Sequence, residues 1–177
     1  MKKIYWAFFL VCAACATSVR KEKTSTPEEK IAMWDSGVQY RVDTLPFDPD
    51  TDEASDGGIE TTFYTLNGTL MKIKEDVGLS WGNITSTFYC VGDTLRGFAE
   101  WHQHFPYEND SLAHDSLVTN YKGILIFQAD TIAAEHHVGE KMFAKNTQDF
   151  GAQILEEFRE HVLRFREMKR GVDTLIR

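Results

Sequence analysis

The 177-residue sequence predicts an α+β fold: an antiparallel meander of about six strands with a C-terminal amphipathic helix packed on one face. Three observations carry that expectation. A hairpin-like segment recurs, "TTFYTLNGTLMKI" at 61–73, "STFYCVGDTLRGF" at 86–98 and a looser copy, "ILIFQADTIAAEH", at 124–136. Each copy centres on a two-residue turn, Asn67-Gly68, Gly92-Asp93 or Ala129-Asp130, of which Asn-Gly is the strongest hairpin signal because both residues must accept positive φ. Near the end, Phe150, Ile154, Leu155, Phe158, Val162, Phe165 and Met168 recur every three or four residues, the period of one helix face.

The elements follow in chain order. Lys2 and Lys3 precede an apolar run from Ile4 to Ala14, a positive start and short apolar core of the secretory type. The run is shorter than the roughly 20 residues of a spanning helix. Cys12-Ala13-Ala14-Cys15 has the spacing of a redox pair, but such a pair lies between a strand and a helix, whereas here a polar tail follows. The stretch resembles the lipobox of bacterial lipoproteins, with Cys12 where Leu is usual. The resemblance implies that residues 1–14 are a signal peptide and that Cys15 is acylated, with palmitate among the chains. That places the protein in the cell envelope as a lipoprotein, at the outer rather than the inner membrane. The plainer alternative is an ordinary signal peptide cut near Ala14 or Ala16. Losing residues 1–14 removes two lysines and leaves 17 basic against 27 acidic residues, a net charge of −10. So acidic a body disfavours nucleic acid and anionic lipid surfaces as partners.

Residues 15–30 are almost free of apolar side chains and read as a flexible tether, followed by one domain over 31–177. A short helix is also written at "STPEEKIAMWDSG", with Thr26 as cap, Pro27 in the first turn, and Gly37 as stop. "VQYRVDTL" reads as a strand. The acidic stretch beyond it puts Asp48, Asp50, Asp52 and Asp56 on a calcium-loop template, which Glu53 and Ile59 then break, so a solvated loop is expected.

Alternation assigns faces within the meander. From Leu95 to Phe105 the apolar set is Leu95, Ala99, Trp101 and Phe105, and the opposite set is Arg96, Glu100, His102 and His104, interrupted by Phe98. In the last strand Ile132, Ala134 and Val138 face one way, Glu135 and His137 the other. One dry and one wet face are expected. The helix from Thr147 to Arg170, stopped by Gly171, is expected over the dry face, with Leu155, Phe158 and Val162 near Trp101 and Phe88. Cys90, the lone cysteine of the domain, reads as a small buried hydrophobe.

The repeated hairpins behind a lipobox, closed by a charged helix, resemble small uncharacterised lipoproteins of Gram-negative bacteria. The resemblance implies no catalytic residues. The sharpest chemical candidate is "EWHQHF", where His102 and His104 point to one side of a strand as two zinc ligands do. The neighbouring strand, about Val118–Gln128, supplies no histidine, so a third ligand would come from His114, Glu108, Asp110 or Asp115. Without one, His102 and His104 are surface residues. No phosphate loop, dinucleotide fingerprint, Gly-x-Ser-x-Gly or His-Glu-x-x-His occurs. The expected function is therefore a non-enzymatic envelope lipoprotein that binds a protein or small ligand or acts in assembly, with no cofactor and no catalytic residue. The alternative is a metal-binding protein or metal-dependent enzyme using His102 and His104.

Overall fold

The structure, a computed structural model, describes residues 25–36, 39–45, 57–108, 111–141 and 149–175. Cys12, Cys15 and the acidic stretch 48–56 lie outside them. Helix α1 is Pro27–Asp35, and strands β1 to β5 are Arg41–Leu45, Ile59–Leu66, Thr69–Leu79, Gly82–Val91 and Thr94–His104. A small ribbon, β6 (Tyr107–Glu108) with β7 (Ser111–Leu112), precedes β8 (Val118–Gln128), β9 (Thr131–Gly139) and helix α2 (Phe150–Leu175). The main sheet is a seven-stranded antiparallel meander in the order β1-β2-β3-β4-β5-β8-β9. The α+β meander with its C-terminal helix is thus the observed fold. Among the described residues no helix is long and apolar enough to cross a membrane.

Each repeated segment folds as one hairpin, and each carries the same defect. Beyond the turn the paired residues are Thr65 with Leu70, Cys90 with Leu95 and Phe127 with Ile132, and the register then skips Met71, Arg96 and Ala133. These are β-bulges, which insert one residue and so reverse the in/out phase of everything that follows. Asn67 and Gly68 both take positive φ, as do Ala129 and Asp130, whereas in the middle hairpin Gly92 does so.

The bulges overturn the face assignment. Leu95 packs with Phe98 in the cluster beneath α2, while Ala99 and Trp101 belong to a second cluster on the other face, with Ile31 and Trp34 of α1. Trp101 is therefore not a neighbour of Leu155, Phe158 and Val162, although Phe88 is. In β9 the bulge puts Ile132 opposite Phe127, out of phase with Ala134. The face opposite α2, where solvent is expected, is partly covered by α1.

Helix α1 starts as its sequence dictates. Thr26 Oγ1 accepts from the Glu29 backbone N–H at 3.2 Å, and Glu29 Oε2 accepts from the Thr26 N–H at 3.0 Å, a complete capping box. It begins within the stretch read as tether. Asp35 at its end accepts from Tyr89 Oη at 2.8 Å and from Lys72 Nζ at 3.0 Å, tying it to the sheet. Gly97 makes this docking possible, since a Cβ there would lie 2.5 Å from the Trp34 ring.

Helix α2 runs past Gly171, which does not stop it, and reaches Leu175. It crosses the strands from β9, where Gly151 meets Ile132, to β2, where Phe165 stacks on Phe63 with centroids 5.3 Å apart, and on to β1, where Lys169 approaches Asp43. The expected stripe is the one buried: Ile154, Leu155, Phe158, Val162 and Phe165, with Phe150 and Met168 at its ends.

Candidate functional site

Cross-strand register arranges the α2 side of the sheet in transverse rows. One row reads Phe63, Ile73, Phe88, Phe98, Leu125 and Glu135 from β2 to β9, and apart from Glu135 it is the apolar floor under α2. Two residues along each strand, the next row reads Thr61, Glu75, Ser86, Glu100, Gly123 and His137. The row beyond reads Ile59, Val77, Ile84, His102, Tyr121 and Gly139. Above these two rows α2 no longer seals the sheet. A cavity of about 780 Å³ opens there, walled on the helix side by Phe150, Gln153, Ile154 and Glu157. That volume is in the range of small-molecule clefts, and the mixture of apolar surface with a few placed polar groups is typical of them.

The floor is shaped by Gly123. A Cβ at that position would collide with the Tyr121 hydroxyl, so glycine lets the tyrosine fold across the neighbouring row. Burial pushes the Tyr121 hydroxyl up to about 12, with the carboxylates of Glu100 and Glu135 adding to the effect, so it remains a neutral donor.

Glu100 is the centre of a polar assembly in this cleft. Its Oε1 meets His102 Nε2 at 2.8 Å, and its Oε2 accepts from Lys141 Nζ at 2.6 Å. Burial opposes its charge, but the bonds from His102 and Lys141 outweigh that and hold the carboxyl below its ordinary range. Lys141 also lies over the Phe150 ring at 3.8 Å and the Tyr121 ring at 5.1 Å, forming part of the cleft wall.

At the other end of the cleft Glu75 of β3 meets α2. Glu157 and His161, four apart on the helix and therefore on one face, bring a carboxylate and an imidazole to it, with His161 Nε2 3.4 Å from Glu75 Oε2. Burial, with the charge of Arg164 second, pulls the imidazole down to about 4, so it is neutral at pH 7 and the contact is not an ion pair.

The histidines singled out in the sequence fall in different places. His102 is 2 % exposed and bonded to Glu100 in the cleft, not on a wet surface; the bulge at Arg96 puts it, with Phe98, in phase with Leu95 and so on the α2 side. His104 is half-buried near the end of β5, and His114 is exposed, its ring 4.7 Å from that of Phe105. The three do not converge as a ligand set among the described residues. Burial pushes the Cys90 thiol up to about 12, which suits a packing role.

No protein-family model matches the chain, and no curated protein or solved structure matches it either. The site must be read from its own chemistry. Sequence reasoning takes Glu157 only as an acidic residue near the start of the helix and gives His161 no role, although their spacing of four on a helical period is a visible signal; their partner Glu75, more than 80 residues away, is not.

Proposed function

We propose that the protein is a non-enzymatic binding module of the cell envelope, held to the outer membrane through lipid on Cys15, whose cleft takes a small amphipathic molecule with a positively charged group. The cleft itself carries this reading: an open cavity of about 780 Å³ beside a packed core, with apolar walls and four carboxylates, Glu75, Glu100, Glu135 and Glu157. Among the residues lining the cavity these four carboxylates stand against a single lysine, Lys141, so the lining is net negative. A buried cation is stabilised by such groups and a buried anion is repelled. The lipid anchor rests on the lipobox resemblance of Cys12-Ala13-Ala14-Cys15.

Two measurements test the two halves of the reading. Calorimetric titration of the purified, metal-free chain with phenethylamine and with phenylacetate, alike in shape and opposite in charge, should show the amine binding at least tenfold more tightly. Equal affinity, or binding of the acid alone, would remove the argument from charge. For the anchor, labelled fatty acid should be incorporated into the wild type and not into Cys15→Ser. Label retained on Cys15→Ser, or lost from Cys12→Ser alone, contradicts it.

A further inference from the structure

We infer that Glu75, Glu157 and His161 form a binding site for one divalent transition-metal ion of the zinc type, with its open side toward the cleft. One ligand atom from each residue lies within 4.8 Å of the other two, so small side-chain shifts bring all three onto a single ion. The donor set, one imidazole nitrogen and two carboxylate oxygens, suits zinc and its first-row neighbours and not calcium, which takes oxygen ligands. The residues come from two elements that the core fixes against each other. Glu157 and His161 share a turn of α2, and Phe88 of β4 presses on the His161 ring at a centroid distance of 5.3 Å.

The decisive observation is His161 itself. It is 3 % exposed, and neither ring nitrogen has a hydrogen-bond partner. Buried polar atoms are nearly always satisfied, and one left over calls for an explanation such as an ion. Its approach to Glu75 Oε2, at 3.4 Å, is long for a hydrogen bond. It does match a coordination polyhedron: two donors each about 2.05 Å from a tetrahedral ion stand about 3.4 Å apart.

Three protein donors leave a fourth position on a tetrahedral ion, and Glu75 and Glu157 both line the cavity, so that position opens into it. The inference rests on the cleft only for this open face. A chain that binds zinc but not phenethylamine would sink the ligand reading and leave this one standing.

The test is calorimetric titration of zinc chloride into the full purified chain after chelator treatment, with cobalt(II) absorption as an independent report of tetrahedral coordination. One equivalent should bind, and Glu157→Gln should weaken it by at least about a hundredfold, because even outer-shell changes cost 10–100-fold. His161→Phe, which keeps an aromatic ring against Phe88, should abolish both signals while melting cooperatively without metal. The double variant His104→Gln/His114→Gln should bind as the wild type does. Absence of zinc binding by the folded wild type, or binding that survives both Glu157→Gln and His161→Phe, overturns the site. Binding lost only in the His104/His114 variant assigns the metal elsewhere and overturns it equally.

Discussion

Along β3, β4 and β5, a step of two residues toward the far end of the sheet replaces Ile73, Phe88 and Phe98 by Glu75, Ser86 and Glu100. The first set is sealed under Phe158 and Ile154 of α2, whereas the second lines an open cavity beside the same helix. The strands, the face and the covering helix are shared; only the side chains and the diagonal path of α2 differ. Burying each large apolar side chain in the first region stabilises the fold by roughly 1.5–3 kcal/mol. Closing the second region would strip water from four carboxylates, a cost that apolar burial there would not offset. One half of the face thus holds the domain together, and the other is left available to a ligand.

The widest separation between the halves is expected on charging the sealed one. Phe158 is 2 % exposed and its ring lies 6.2 Å from that of Phe88. Truncating a buried phenylalanine costs about 3–5 kcal/mol, and a carboxylate there costs more, against a total stability of about 5–15 kcal/mol. Phe158→Asp should lose its cooperative melt, and a variant that melts like the wild type would place α2 outside the core.

At the boundary between the halves, His161 should make stability pH-dependent. Its folded value near 4 lies below the ordinary 6.5, so on acidification the unfolded chain takes up this proton first. The native state is therefore unpenalised above pH 6.5 and loses about 3 kcal/mol as pH falls from 6.5 to 4. The groups facing it are Glu75 of β3, and Glu157 and Arg164 of its own helix. With chelator present, thermal melts of His161→Phe should show a flatter slope than the wild type across that window. Parallel slopes would mean that the imidazole is solvated.

Within the open half the effect should be smaller. His102→Leu removes one of the two bonds on Glu100 and should cost about 1–3 kcal/mol, seen in denaturant melts. His104→Gln, half-buried near the strand end, should stay within about 0.5 kcal/mol. Equal effects would return both residues to the surface status that strand alternation first suggests.

That alternation shows what was legible and what was not. Turn chemistry is local, so Asn67-Gly68, the Thr26 cap and the apolar stripe of α2 could be read directly and stand as expected. Face assignment propagates along a strand, and a single bulged residue such as Arg96 or Ala133 inverts it. No residue type marks those positions: Met71, Arg96 and Ala133 share only their place two residues after a turn-flanking threonine. Hence plain alternation puts His102 on the wrong side, and Trp101 with it. The cleft was hidden for a further reason. Its rows assemble residues from β2 through β9, and only the register reveals that Glu75, Ser86, Glu100 and His137 lie side by side.

Filling the open half tests most directly whether it is a site and not an incomplete core. Ser86 stands between Glu75 and Glu100 in the polar row, half-buried and lining the cavity, and it is not part of the apolar cluster beneath α2. Ser86→Trp should place an indole in the cavity, and its melting temperature and phenethylamine binding can be measured on one preparation. The account expects a melt within a few degrees of the wild type together with loss of amine binding. A collapse of stability comparable to that of Phe158→Asp, or a stable variant that binds the amine unchanged, would contradict it.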